Sequence, residues 1–235
     1  MNKTKKSMIL LISSIILVSF VGCSRSETGN KDSDSALTAF NAIVKAYPSN
    51  KGFHSSLQHW GFKLKDGDKF EWTKNTSANK IDFAMVMAAD PLIKAGLDVT
   101  KLDSNKWIYK PAEVEAGVQL PNRLIFPYNL SDKKQTSTGS EDAFRRLLKQ
   151  DPMLIKNNKE EKHFMLMLND GNEVHWAETL GKTDEDMEFV LKAEPLIKAG
   201  LDVNKLEGSG WKLEKAEKDG MNGAGDQLVK GYKLK

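Results

Sequence analysis

One nine-residue segment, PLIKAGLDV, stands twice in this chain, at 91–99 and again at 195–203. The two occurrences are offset by 104 residues, and the same offset aligns much else without a gap. Phe40 falls on Phe144, Pro48 on Pro152, His59 on His163 and Asp66-Gly67 on Asp170-Gly171. Trp72 falls on Trp176, Asp82 on Asp186, Trp107 on Trp211, Leu124 on Leu228 and Tyr128 on Tyr232. Chance does not bring rare tryptophans, prolines and glycines to one offset, so the chain holds two copies of one module, 36–131 and 140–235. A period this long is not that of a solenoid, whose repeats run about 20–50 residues. The polar stretch DKKQTSTG (132–139) reads as a linker. Each copy is long enough for a core of its own, which predicts that each folds alone.

Reading the copies together fixes the elements. In SALTAFNAIVKAYP the residues Leu37, Phe40, Ile43 and Val44 recur at helical spacing; Phe144, Leu147 and Leu148 do so in SEDAFRRLLKQDP, with Ser140 as its N-cap. A hairpin follows, HWGFKLKDGDKFEWTK or HFMLMLNDGNEVHWAE. A strict two-residue Asp-Gly loop would set Phe62 opposite Glu71. A three-residue loop with Gly67 left-handed sets Phe62 opposite Phe70 and Trp60 opposite Trp72, and in the second copy Leu166 opposite Val174 and Phe164 opposite Trp176. The second register is predicted, because a slip of one residue would expose the whole apolar set. IDFAMVMAA and DMEFVLKAE read as strands. DPLIKAG reads as a short helix capped by Asp90, entered by Pro91 and stopped by Gly96, with a second cap at Asp98. Two closing strands complete an α-β-β-β-α-β-β unit. The expected class is α+β: tandem modules, mainly antiparallel sheets, helices on one face.

Ahead of the repeat stand a basic start, MNKTKKSM, and an apolar run over 8–21 that is short for a membrane span. The run ends in FVGC, which holds the single cysteine, Cys23. This resembles the lipobox of bacterial lipoproteins, with Gly22 as the small residue before the cut and Phe20 where Leu, Val or Ile is usual. The resemblance implies removal of 1–22, a diacylglycerol on Cys23, and attachment to the extracytoplasmic face of the cell membrane. Residues 24–35, without apolar periodicity, read as a flexible tether of roughly 20 Å. The net charge of +3 belongs to the signal: without Lys3, Lys5 and Lys6 the chain has 32 basic and 32 acidic residues. That balance gives no argument for nucleic acid as a partner.

No H-E-x-x-H, phosphate-cradling glycine loop or cysteine nucleophile stands in the repeats, and no cofactor is implied. The residues that could carry a ligand are Trp107 and Trp211, as aromatic platforms, and His59 and His163, at the start of each hairpin on the face opposite the tryptophans. The hairpin register puts His163, Met165, Met167, Glu173 and His175 on one face. Two imidazoles among thioethers are a soft-metal donor set, so His163 and His175 are where any metal would bind. Large aromatics on alternating strands more often form core, and a hairpin face with two histidines is more often an interface than a cage. Two functions follow as expectations. One is a lipid-anchored, non-enzymatic protein whose modules bind a ligand or an envelope protein. The other is an extracytoplasmic enzyme, a hydrolase, with its site between the modules.

Overall fold

The computed structural model describes residues 28–77, 81–115, 117–130, 133–150, 155–216 and 225–234. Residues 1–27, on which the expected signal and Cys23 fall, lie outside them. The first copy runs α1 (Thr28–Ala46), β1 (Lys51–His54), β2 (His59–Lys63), β3 (Lys69–Thr73), β4 (Phe83–Ala88), α2 (Asp90–Lys94), β5 (Ile108–Lys110) and β6 (Arg123–Tyr128). The second runs α3 (Ser140–Gln150), β7 (Ile155–Asn158), β8 (His163–Met167), β9 (Glu173–Ala177), β10 (Met187–Lys192), α4 (Ala193–Lys198), β11 (Lys212–Glu214) and β12 (Gln227–Tyr232). Each copy forms a six-stranded sheet, in the order β1-β2-β3-β4-β6-β5 and β7-β8-β9-β10-β12-β11. Every described pairing is antiparallel. The class is α+β, as the periodicities predict.

The hairpin register is the expected one: Trp60 faces Trp72, Phe62 faces Phe70, Phe164 faces Trp176 and Leu166 faces Val174. Gly67 (φ 81°) and Gly171 (φ 80°) are left-handed, where a side chain costs roughly 1 kcal/mol. The first copy differs in one detail: Asp66 is left-handed as well, at φ 62°. The Asp-Gly pair thus makes its own tight turn, and Lys65 bulges to restore the register.

Four expectations need correction. Each copy has a strand before the hairpin, β1 or β7, so the unit is α-β-β-β-β-α-β-β; KGFH and IKNN are short edge strands without apolar alternation. Helix α1 starts at Thr28, so 28–35 is helix rather than tether. Its polar turns are held by tertiary packing: Ser33 and Ala36 are buried and α1 lies against β7. The linker is not a free spacer, because Gln135–Thr136 pairs with Asn75–Thr76 and Ser137 is buried. Asp90 does not cap α2: it is the first helical residue, and its carboxylate accepts from Asn122 Nδ2 at 2.5 Å.

The larger surprise is how the copies join. Helix α1 packs on β7 and β9 of the other copy's sheet, and α3 packs on β3 of the first. The indole of Trp72 donates to Ser140 O at 3.0 Å, and that of Trp176 donates to Ala36 O at 2.9 Å. The 104-residue offset exchanges these two bonds, so they are related by a pseudo-two-fold axis. Phe40 and Phe144, which are counterparts, meet on that axis with ring centroids 4.1 Å apart. Phe40 also touches both Trp72 and Trp176. The two helices therefore lie between the inner faces of the two sheets, and one contiguous apolar core spans both copies. This runs against the expectation that each copy folds alone.

The duplicated PLIKAGLDV corners meet on the same axis. Asp98 N donates to Ala199 O and Asp202 N to Ala95 O, both at 2.8 Å. A Cβ on Gly96 would stand 2.9 Å from Gly200 O, and one on Gly200 would stand 3.0 Å from Gly96 O. Both glycines also hold φ 100°. A glycine is required at each on two independent grounds. The expected caps at the next turn are present: Asp98 accepts from Thr100 N and Asp202 from Asn204 N, each at 3.1 Å.

A third contact breaks the symmetry. Asp68 and its counterpart Asn172 each accept a strand amide, from Ala88 N at 2.7 Å and Lys192 N at 2.9 Å. Each also reaches the other copy's tyrosine: Tyr232 donates to Asp68 at 2.7 Å, and Asn172 donates to Tyr128 Oη at 2.9 Å. Next to Asp68 lies Lys230, Nζ 2.7 Å away, and both side chains are almost fully buried. Lys230 occupies the position that Phe126 holds in the first copy. One side of the axis thus buries a lysine–carboxylate pair; the other holds no lysine, and there Asp170 accepts from Tyr128 Oη at 3.2 Å and from Asn172 Nδ2 at 2.8 Å.

Candidate functional site

The inner face of each sheet is spent on the shared core. What remains is the outer face, to which alternate residues point. In the second copy these are His163, Met165 and Met167 from β8, Glu173 and His175 from β9, Glu188, Val190 and Lys192 from β10, and Gln227 and Val229 from β12. All of these but His163, together with Lys156 and Glu214, line a depression of about 450 Å³. That volume is in the range of small-molecule sites. Its floor is apolar, from Met165, Met167, Val190 and Val229; its walls carry lysines and glutamates.

His175 sits in this floor, 7% exposed. Its Nε2 is 2.7 Å from Glu173 Oε2 and its Nδ1 is 3.2 Å from Glu188 Oε2. Burial alone would depress the imidazolium, but the two carboxylates outweigh it and raise the pKa to about 9. At neutral pH His175 is therefore a cation that donates from both nitrogens, which leaves no lone pair for a metal. His163 lies beside it, ring centroids 6.5 Å apart, with Nε2 3.0 Å from Glu185 O. The register thus brings His163 and His175 together as expected, but both nitrogens of His175 are turned to carboxylates and Nε2 of His163 to a carbonyl. Among the described residues no group of three or more potential ligands could hold a metal ion.

The first copy's outer face is built otherwise. Gly61 and Lys63 replace the two methionines, and Lys69-Glu71 replaces Glu173-His175, which reverses the sign of the pair. Burial would raise the Glu71 carboxyl; His59, at 3.6 Å, and Lys69, at 2.6 Å, outweigh it and hold the pKa at about 2. A hairpin, Glu113–Glu115 with Val118–Leu120, is tied to this face by Glu113 on Arg123 and by Glu115, 3.6 Å from His54.

The tryptophan candidates fare differently. Trp107 and Trp211 are buried, Trp107 edge-on to Phe126 and Trp211 beneath Lys230 Nζ at 5.9 Å. They are core, not platforms. Among the described residues, Phe40 with Phe144, Gly96 with Gly200, and the buried Asp68–Lys230 pair fill the axis between the copies, where the hydrolase reading set its site. The sequence reading missed Lys156, Glu188, Val190, Lys192 and Glu214. Glu188, Val190 and Lys192 were within reach, since Met187, Phe189 and Leu191 point inward and the residues between must point outward. Comparison of the chain with protein-family models, with curated proteins and with solved structures returns no match.

Proposed function

We propose that this is a lipid-anchored extracytoplasmic protein, without enzymatic activity, that binds an amphipathic small ligand on the outer face of its second sheet. The observation that carries the reading is the depression over Met165, Met167, Val190 and Val229, open in the second copy and replaced by a different surface in the first. Walls of both charge signs around an apolar floor favour a ligand with an apolar body and both an anionic and a cationic group, such as a short peptide. His175, locked between two carboxylates, serves as a rigid part of the floor. Cys23 supplies the anchor to the cell membrane, and the helix start at Thr28 shortens its tether: five residue steps reach at most about 17 Å. The body then stays close to the bilayer, where an envelope ligand would be presented.

The test is amide shift mapping of residues 24–235 against a panel of tripeptides. Shifts confined to β8, β9, β10 and β12, and abolished by Met165→Glu, are expected. A panel that shifts only amides elsewhere, or nothing, overturns the reading. Cys23→Ala in cells should abolish labelling by a fatty-acid probe and release the protein from the membrane.

A further inference from the structure

The pseudo-symmetry exposes a gap. On the second sheet, α1 packs across β7, and Ile155 and Phe164 beneath it are buried. The offset carries Thr28 to residue 132, yet α3 begins only at Ser140. The counterpart segment turns away instead, pairing Gln135–Thr136 with Asn75–Thr76, and α3 makes no comparable packing on β1. Among the described residues, no helix therefore lies over the place on the first sheet that corresponds to the first two turns of α1.

The side chains at that place are not those of a surface meant for water. Phe53 stands where the second copy has Asn157. It is 40% exposed. Phe53 lies on the half-buried Trp60 with ring centroids 4.5 Å apart. Two ammonium groups flank the pair: Lys51 Nζ is 5.9 Å from the Trp60 ring and Lys74 Nζ 5.9 Å from Phe53. These lysines replace Ile155 and Glu178 of the second copy. Among the described residues neither is paired with a carboxylate. The copy that lost its cover has thus gained aromatic and cationic surface at the same positions. Apolar surface exposed without cover is unfavourable unless something else buries it.

We propose that the Phe53–Trp60 edge is a docking site for an acidic amphipathic helix of a partner protein, laid where 28–35 of α1 lies on the second sheet. The apolar stripe of the helix covers Phe53 and Trp60, and its acidic flanks meet Lys51 and Lys74. The chain's own α1 sets the precedent in place. The site is remote from the depression on the second sheet and stands whether or not that depression binds a ligand.

The probe is a peptide of about four helical turns, leucines on one face and glutamates on the other, with a twin carrying lysines for glutamates. Binding to residues 24–235 is followed by Trp fluorescence and by amide shifts, and the conformation of the bound peptide by circular dichroism. The acidic peptide should bind as a helix and shift amides of Lys51, Phe53, Trp60 and Lys74. Phe53→Asn, the second copy's own residue, should weaken it about tenfold without lowering the melting temperature. Lys51→Glu with Lys74→Glu should turn the preference to the basic twin. Absence of binding, equal binding of the twins, indifference to Phe53→Asn, or a bound peptide that is extended along β1 would each overturn the proposal.

Discussion

His175 and Glu71 occupy the same position in the two copies and pull stability in opposite directions along the pH scale. The folded pKa of His175 is raised to about 9, above its ordinary value of 6.5. Its contribution is therefore complete below about pH 6.5 and is lost as the pH climbs through about 9. Glu71 is held down to about 2, so its contribution is present above about pH 4.5 and is lost only as the pH falls through about 2. The shift at His175 corresponds to a few kcal/mol. We expect the melting temperature to fall between pH 7 and pH 10 in the parent. In His175→Gln it should start lower, because Glu173 and Glu188 then face each other without the cation, and fall less over the same interval. A parent and variant with parallel pH profiles would show that the imidazolium does not hold the floor together.

At the scale of the element, α1 is where local sequence and tertiary structure part company. Residues 28–35 hold no apolar periodicity, and nothing in them predicts a helix. They are helical because the helix that starts properly at Ala36 continues over β7 and gains burial of Ser33 there. Deleting 24–35 should uncover Ile155 and Phe164 and destabilise the protein by about 2 kcal/mol, read by urea denaturation. An unchanged midpoint would mean that these turns cover nothing. The hairpins, by contrast, were fully legible, because register is dictated by which residues must face inward, and two independent copies gave the same answer. The strands β1 and β7 were not legible, since an edge strand of four residues is defined by its neighbour's free hydrogen bonds rather than by its own pattern. Of the candidate site, the outward set on β8 and β9 followed from register alone. The chemistry of His175 did not, because Glu188 comes from a strand whose alignment beside β9 no local pattern gives.

At the scale of the whole molecule, the chain behaves as a dimer whose subunits are joined end to end. The Asp68–Lys230 pair decides which pairings are allowed. Two first copies would bury Asp68 against Phe126 and leave a charge without its partner, which costs about 3–5 kcal/mol; two second copies would set Lys230 against Asn172 and keep only Asp170, the counterpart of Asp66, beside it. Produced as separate chains, 24–131 and 132–235 should each be poorly folded and should recombine one to one when mixed, as read by native mass spectrometry and near-ultraviolet dichroism. Asp68→Asn with Lys230→Phe makes both sides of the axis alike and should let like copies pair. Separate chains that are folded monomers would show that the shared core is dispensable.

The Gly96–Gly200 contact also governs how the two halves can change over time. Duplicated segments ordinarily drift apart, each free to accept what its own surroundings tolerate. A segment that rests on its own twin has no such freedom, because its surroundings are the twin: a side chain added at either glycine is met by the carbonyl of the other, and altering both at once relieves neither contact. The sentence that the chain writes twice is kept in step by being read against itself, while the outer faces, which touch nothing in common, have gone their separate ways.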